Sequence, residues 1–229
     1  MKYFETKNLK DKKEEVTSEL NKKLWVHRSE EFTQYLNKYL KNDSQIVDLG
    51  CGSGYLAERL SLEFKCNNIE LVDLDDYRTY EVAKAFTFNR ADFNVDKLPF
   101  ENNSKDIIFA IEVFEHLENG FHFIREIERV LNSQGILIIS IPNAYSIFSR
   151  VKFLLNLSLE GYSINENHIN FLPKDIFLGT LFQNFKLVDS FFNQRFLRLN
   201  SLGLSKWINL KYPKNEFFSN KAGYIFKRI

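Results

Sequence analysis

The sequence predicts an α/β fold, a parallel sheet with helices on both faces, and two observations carry that prediction. From Gln45 onward, short β-rich apolar runs (IVDLG, NIELVD, DIIFAI, GILIISI) alternate with segments whose apolar residues recur every three or four positions. The runs are nearly continuous in Val, Ile, Leu and Phe, as expected of strands covered on both faces. The 229 residues suffice to bury a core without disulfide or metal staples. With 44% hydrophobic and 27% charged residues, the composition fits neither global disorder nor a membrane-spanning chain.

Taken in order, Val16, Leu20 and Leu24, then Phe32, Tyr35, Leu36, Tyr39 and Leu40, predict two amphipathic helices between Leu9 and Leu40. These make residues 1–44 an N-terminal helical cap, ending in a polar break at Lys41–Ser44. The Lys/Glu run from Lys10 to Lys23 mixes its signs, so it reads as a solvated helix face rather than a nucleic-acid arm. Residues 45–142 hold the alternation: a helix with Leu56, Leu60 and Phe64 follows the first strand, and one with Phe121, Ile124, Ile127 and Leu131 follows DIIFAI. After Pro142 the rhythm changes. An Asn- and aromatic-rich insertion, residues 143–172, precedes a helix over Pro173–Gln183 and strand-like runs at Phe185–Phe192 and Gly223–Lys227 in the last segment, 173–229. No Pro/Gly linker divides the chain, which favours a single domain over residues 1–229.

Charge and cysteine usage narrow the function classes. Lys and Arg number 31 against 30 Asp and Glu, a formal charge of +1 that argues against a broadly basic nucleic-acid surface. Cys51 and Cys66 belong to no CxxC or Cys/His cluster, so neither a metal site nor a disulfide framework is expected, and a reducing cytoplasm is the simplest compartment. The opening MKYFETKNLKDKKEEV is too polar for a signal peptide, and no run approaches the roughly 18 apolar residues of a spanning helix. Twenty-three Phe and ten Tyr are an excess for a chain of this length; twelve of the Phe lie beyond Pro142.

The strongest local signal is Val47-Asp48-Leu49-Gly50-Cys51-Gly52-Ser53-Gly54, a strand entering a G-x-G-x-G turn ahead of the helix Tyr55–Phe64. Side chains at those glycines would stop the backbone turning tightly and lying against a ligand. The next strand ends at Asp73, 19 residues after Gly54, where an acid can accept hydrogen bonds from ribose hydroxyls. Asp75 and Asp76 offer alternative acceptors, but the strand's C-terminal end favours Asp73. The glycine spacing departs from the dinucleotide fingerprint G-x-G-x-x-G, so a nucleoside ligand without a pyrophosphate fits better.

VDLGCGSGYLAERL, IELVDLD, ADFNVDKLPFENNSKDIIFAIEVFEHL and IREIERVLNSQGILIISIPN, in this order over Gln45–Asn143, resemble the class I S-adenosylmethionine-dependent methyltransferases, especially their bacterial small-molecule branch. HINFLPKDIFLGTLFQNFKLVD is more weakly similar to the element before that family's last strands. The resemblance implies a Rossmann-like three-layer sandwich, its seven-stranded sheet mostly parallel with an antiparallel last strand, and S-adenosyl-L-methionine as cofactor. It places Asp48, Gly50, Cys51, Gly52 and Gly54 at the methionine end, Asp73 at the ribose, Leu74 alongside the adenine, and Asp92 and Phe93 at the adenine edge. Ile111 and Glu112 face the methionine portion, and Glu115, His116 and Leu117 match the family's E-H-L. Structural alternatives stand beside these roles: Asp48 as a holder of the glycine loop, Asp92 as a turn cap, His116 as a helix-start residue and Cys51 as a small buried side chain. Lys105 replaces an aromatic of many relatives and is expected on the strand's outer edge.

The implied activity is methyl transfer to a hydroxyl or amine of a small metabolite, sugar or lipid-linked acceptor, by a monomer or homodimer. A catalytically silent cofactor-binding or scaffold protein is the alternative, and a nicotinamide-dependent enzyme is disfavoured by the glycine spacing. Methyl transfer needs no covalent nucleophile, and a base only if the acceptor is a hydroxyl; the candidates are His168, His116 and Glu112. Tyr145, Phe148, Arg150, Phe153 and Tyr162, with Trp25, His27 and Arg28, are candidate walls of the acceptor pocket. Nucleic-acid methylation is not expected, since no base-gripping N/D-P-P-Y/F motif is present.

Overall fold

The structure, a computed structural model, describes Val26 and residues 29–157, 168–170, 174–193, 196–200 and 207–229. The first helix expected from sequence, over Val16–Leu24, lies outside them. The second is α1 (Glu30–Tyr39), started by Ser29, whose Oγ accepts from the Phe32 N–H at 3.0 Å, and by Glu30 and Glu31 in the first turn.

Strands β1 (Ile46–Leu49), β2 (Ile69–Asp73), β3 (Thr87–Arg90), β4 (Lys105–Ile111), β5 (Leu131–Pro142) and β6 (Phe185–Phe192) are followed by a separate hairpin, β7 (Phe196–Asn200) with β8 (Trp207–Lys211), and by β9 (Lys221–Arg228). The main sheet has seven strands in the order β3-β2-β1-β4-β5-β9-β6. β1 to β5 pair in parallel, and β9 runs antiparallel between β5 and β6. The expected architecture is therefore present, antiparallel last strand included.

Alternation along each strand divides the core in two. Val47, Leu49, Ile108, Ala110, Leu137, Ile139, Tyr224 and Phe226 pack on one face with Phe123, Ile124, Ile127 and Val130 of α4 (Gly120–Val130) and Phe177 of α6 (Lys174–Phe182). Ile46, Ile107, Phe109, Ile136, Ile138 and Ile225 pack on the other with Phe32 and Leu36 of α1, Leu56, Ala57 and Leu60 of α2 (Tyr55–Phe64) and Ala83 of α3 (Glu81–Lys84). That makes three layers. Each fully buried Phe or Leu contributes about 1.5–3 kcal/mol. The Phe32 ring meets Phe109 at 6.1 Å, edge to face, and Phe191 at 6.0 Å, so α1 seals the sheet between β4 and β6.

Three details depart from expectation. Helix α4 buries Phe123 and Val130 and leaves Phe121 exposed, because the Asn119 cap starts the helix at Gly120 and rotates Phe121 off the sheet. Lys105 is buried rather than on an outer edge: β4 is interior to the sheet, and its ammonium pairs with Glu70 and lies 4.5 Å from the Phe100 ring centroid. β3 gives no apolar run because it is a four-residue edge strand, none of it buried. The insertion contains α5 (Ile147–Leu154), capped by Ser146. Among the described residues, no helix is long and apolar enough to cross a membrane.

The strand order reverses direction at β1, which has β2 on one side and β4 on the other. In open α/β sheets the crevice beyond the strands' C-terminal ends at such a switch point is where ligands bind. Asp48, the glycine turn, Asp73 and Glu112 all lie there.

Candidate functional site

β1 delivers Asp48, buried at 3% exposure, to that edge, and the chain then turns through Gly50, Gly52 and Gly54 at φ of 72°, 51° and 84°. Two of these glycines are also required sterically. A Cβ on Gly50 would lie 2.4 Å from Cγ2 of Val113, and one on Gly54 would lie 2.3 Å from Cβ of Ala83. The Gly50 N–H donates to the Val72 carbonyl at 2.8 Å, which fixes the start of the turn against β2. Cys51 is buried within it, and burial first, then the Asp73 and Asp48 carboxylates, pushes its thiol well above the ordinary value. A thiolate is disfavoured there.

Asp73, at the end of β2, binds the turn directly. Its Oδ2 accepts from the Gly52 N–H at 2.9 Å and its Oδ1 from the Leu74 N–H at 2.7 Å, so the carboxylate is oriented before any ligand arrives. The neighbouring acids are engaged elsewhere. Asp75 accepts from the Tyr77 hydroxyl at 3.4 Å and pairs with Arg90 at 3.2 Å; Asp76 takes a two-pronged contact from Arg78, both arms at 2.9 Å. Burial, with Asp75 and Asp73 adding to it, pushes the Tyr77 hydroxyl up to about 12, so it remains a neutral donor. Arg78 also donates to the carbonyls of Ala83 and Phe86, and the Thr79 N–H to that of Ser53, which binds the loop after β2 to the glycine turn.

Leu74 is 45% exposed beside Asp73. Asp92 is half-buried, and its Oδ1 accepts from both the backbone and the side chain of Asn94, at 2.9 and 3.0 Å, so the turn-capping role is realised. Phe93 is buried against Phe123 with ring centroids 5.2 Å apart. Asn94 Oδ1 in turn accepts from the N–H groups of Glu118 and Asn119, linking this loop to the start of α4.

The end of β4 is the most constrained part of the site. Ile111 is buried, and Glu112, 2% exposed, adopts φ 55°, a left-handed conformation that costs a non-glycine residue on the order of 1–3 kcal/mol and concentrates at functional positions. Ser140 of β5 holds it there: its Oγ accepts from the Glu112 N–H at 3.0 Å and donates to Oε1 at 2.9 Å. Lys221 of β9 forms an ion pair with Oε2. Ser140 and Lys221 escape sequence reasoning, for a serine within GILIISI reads as strand and nothing local marks Lys221.

Three residues on, a single 3-10 turn (Phe114–His116) presents Glu115, fully buried, and His116, half-buried. Residues 168–170 return to this turn from the insertion. The N–H groups of Ile169 and Asn170 donate to the Glu115 carbonyl at 2.9 and 3.0 Å, and the His168 ring lies across that of His116 with centroids 4.7 Å apart at 71°. His168 Nε2 is 3.9 Å from Glu115 Oε1. Two of the three base candidates, His168 and His116, are thus brought together, whereas the third, Glu112, is engaged with Ser140 and Lys221. Glu115 joins the histidines; the E-H-L match marks it in sequence, though not its meeting with His168.

In the insertion, Phe148 meets Tyr212 edge to face at 5.2 Å, and Tyr212 stacks on Phe218 at 5.3 Å. Asn143 binds this layer to the sheet through the carbonyls of Glu216 and Ser219, at 2.7 and 2.8 Å, and orders Tyr145 through its backbone N–H. Arg150 is exposed and donates to the Tyr145 carbonyl, and Phe153 is 71% exposed, so neither walls an enclosed pocket here. Trp25, His27, Arg28 and Tyr162 lie outside the described residues.

A turn of three positive-φ glycines, two of which leave no room for a Cβ, a preoriented carboxylate at the end of β2 and buried acids at the ends of β1 and β4 fit S-adenosyl-L-methionine. A methyltransferase domain model matches residues 47–139. A Mycobacterium tuberculosis protein named a probable S-adenosylmethionine-dependent methyltransferase is 30% identical over 99 residues, 43% of this chain and 35% of its own. The ubiquinone biosynthesis O-methyltransferase of Rickettsia bellii is 29% identical over 106 residues, 44% of this chain and 43% of its own. The chain therefore spans well under half the length of these relatives. Among solved structures, a SAM-dependent methyltransferase from Archaeoglobus fulgidus superposes with a TM-score of 0.60 at 17% identity, over 91% of this chain and 99% of its own, a likeness of fold.

Proposed function

We propose that this chain, which carries a class I S-adenosylmethionine-dependent methyltransferase domain, transfers a methyl group to a hydroxyl or amine of a small metabolite, sugar or lipid-linked acceptor. The observation that carries the reading is the bond from the Gly52 N–H to Asp73, which joins the glycine turn, where Gly50 and Gly54 leave no room for a Cβ, to the acid at the end of β2. Bound there, the cofactor supplies an electrophilic methyl group. The protein supplies the rest. Gly50, Gly52 and Gly54 admit the ligand to the backbone, Asp73 accepts from the ribose hydroxyls, Asp92 and the Phe93 N–H address the adenine edge, and Asp48 and the fixed Glu112 carboxylate face the methionine ammonium. Beyond Glu112, His116 and His168 form the polar end of the site and handle the proton that a hydroxyl acceptor must lose. Relatives named as O- and N-methyltransferases are compatible with either acceptor atom.

Calorimetric titration with S-adenosylhomocysteine and, separately, NAD tests this. Saturable binding of the first without the second is expected; NAD binding without S-adenosylhomocysteine binding would overturn the reading. Loss of turnover in a broad acceptor panel with cofactor binding intact would favour a silent binding protein.

A further inference from the structure

The cluster at the 3-10 turn has a composition that proton handling alone does not require. One ligand atom from each of Glu115, His116 and His168 can be chosen so that all three lie within 4.8 Å of one another. Ligands around one ion at bonds of about 2.1 Å sit roughly 3 to 4.2 Å apart, depending on geometry, so rotamer adjustments of under about 1 Å would close the set on a cation. The Glu115–His168 separation of 3.9 Å already falls in that range, and it is too long for a direct hydrogen bond.

The backbone around the cluster is held in place. Ile169 and Asn170 both donate to the Glu115 carbonyl, and Gly120 lets the segment close: a Cβ there would lie 2.6 Å from Asn170 Nδ2 and 2.7 Å from the Phe114 ring. The carboxylate is fully buried.

We infer that Glu115, His116 and His168 bind a divalent first-row transition ion. Two imidazoles and a carboxylate suit Zn²⁺, Mn²⁺, Fe²⁺ or Co²⁺ rather than the all-oxygen shells of Mg²⁺ or Ca²⁺. Three protein ligands leave coordination positions open, and Glu115 and His116 follow closely on Val113, whose side chain packs at Gly50. This deepens the methyl-transfer reading and rests on it for its use. With an ion held there, an acceptor hydroxyl on the open position would lose its proton to solvent at lower pH, and His116 and His168 would serve that proton loss through the ion rather than by taking the proton directly.

The test uses the full chain, stripped with chelator and titrated with MnCl₂, CoCl₂ and ZnCl₂ by calorimetry, with Co²⁺ visible spectra as a second readout. One equivalent per chain is expected for at least one ion, with at least tenfold weaker binding in His168→Gln and in Glu115→Gln, folding of each being checked by circular dichroism. His116→Gln provides a third variant should the buried Glu115 not tolerate change. No saturable site in the unmodified chain, or a site unchanged in the folded variants, would overturn the inference. S-adenosylhomocysteine titration of the same samples separates the two readings: a chain that binds the nucleoside and no metal keeps the methyltransferase reading and loses the metal, and one that binds metal alone does the reverse.

Discussion

Lys221, on the antiparallel strand, ion-pairs with Glu112, which stands at the end of β4 in a left-handed conformation. The two residues are 109 positions apart in sequence, and the pair is nearly enclosed, with side-chain exposures of 22% and 3%. Breaking one side of such a pair strands a charge, at a cost of about 3–5 kcal/mol, whereas removing both is far cheaper. Lys221→Met is therefore expected to lower stability by about that amount in urea denaturation, and Glu112→Gln/Lys221→Met to regain most of it. A double variant no more stable than the single one would show that the pair is not the source of the loss.

Gly50 should resist substitution for two separable reasons, its positive φ and the Val113 methyl 2.4 Å from where a Cβ would sit. Gly50→Ala is expected to cost about 1–3 kcal/mol and to abolish S-adenosylhomocysteine binding. Adding Val113→Ala removes the clash and leaves the backbone strain, so partial recovery of stability is the expected outcome. Full recovery would assign the whole effect to packing.

Among the three acids after β2, only substitution of Asp73 is expected to affect cofactor binding strongly. Asp73→Ala should weaken S-adenosylhomocysteine at least about tenfold, since a charge-assisted hydrogen bond contributes about 1.5–3 kcal/mol. Asp75→Ala, whose carboxylate faces Tyr77 and Arg90, should change it less than about threefold. Equal losses in both would move the ribose contact off Asp73.

Glu126 provides a pH dependence with a definite sign. Burial alone raises its carboxyl, but hydrogen bonds from Arg129 and the Leu98 N–H outweigh that and hold it below the ordinary 4.5. A depressed carboxyl stabilises the fold above its unfolded value and loses that contribution as pH falls through the folded one. The stability gap between the unmodified chain and Glu126→Gln, on the order of 2 kcal/mol at neutral pH, should thus shrink as pH is lowered below 4.5. A gap independent of pH would mean that shape, not charge, makes the contact.

Much of the site can be read from local sequence because it is built on consecutive residues. Strand β1, the glycine turn and the cap of α2 occupy Ile46 to Tyr55 without interruption, and a turn that needs three positive φ angles can hardly be written without glycine. Asp73 is legible for the same reason, sitting at the end of a five-residue apolar strand. β3 is not legible, being a short edge strand with no buried residue. Nor does sequence place Lys105, because whether a strand is interior or at an edge is a property of the whole sheet.

By itself, then, the sequence determined the α/β layering, the glycine turn and the acid at the end of β2, all set by periodicity and backbone conformation within ten or so residues. Only the tertiary structure decided which charges meet. Lys221 reaches Glu112 because β9 pairs with β5, placing Lys221 opposite Pro142 in register; His168 reaches His116 and Glu115 because residues 169 and 170 hydrogen-bond back to the Glu115 carbonyl from beyond the insertion. Such meetings depend on chain return over dozens of residues, and a side chain's own neighbours in sequence carry no trace of them.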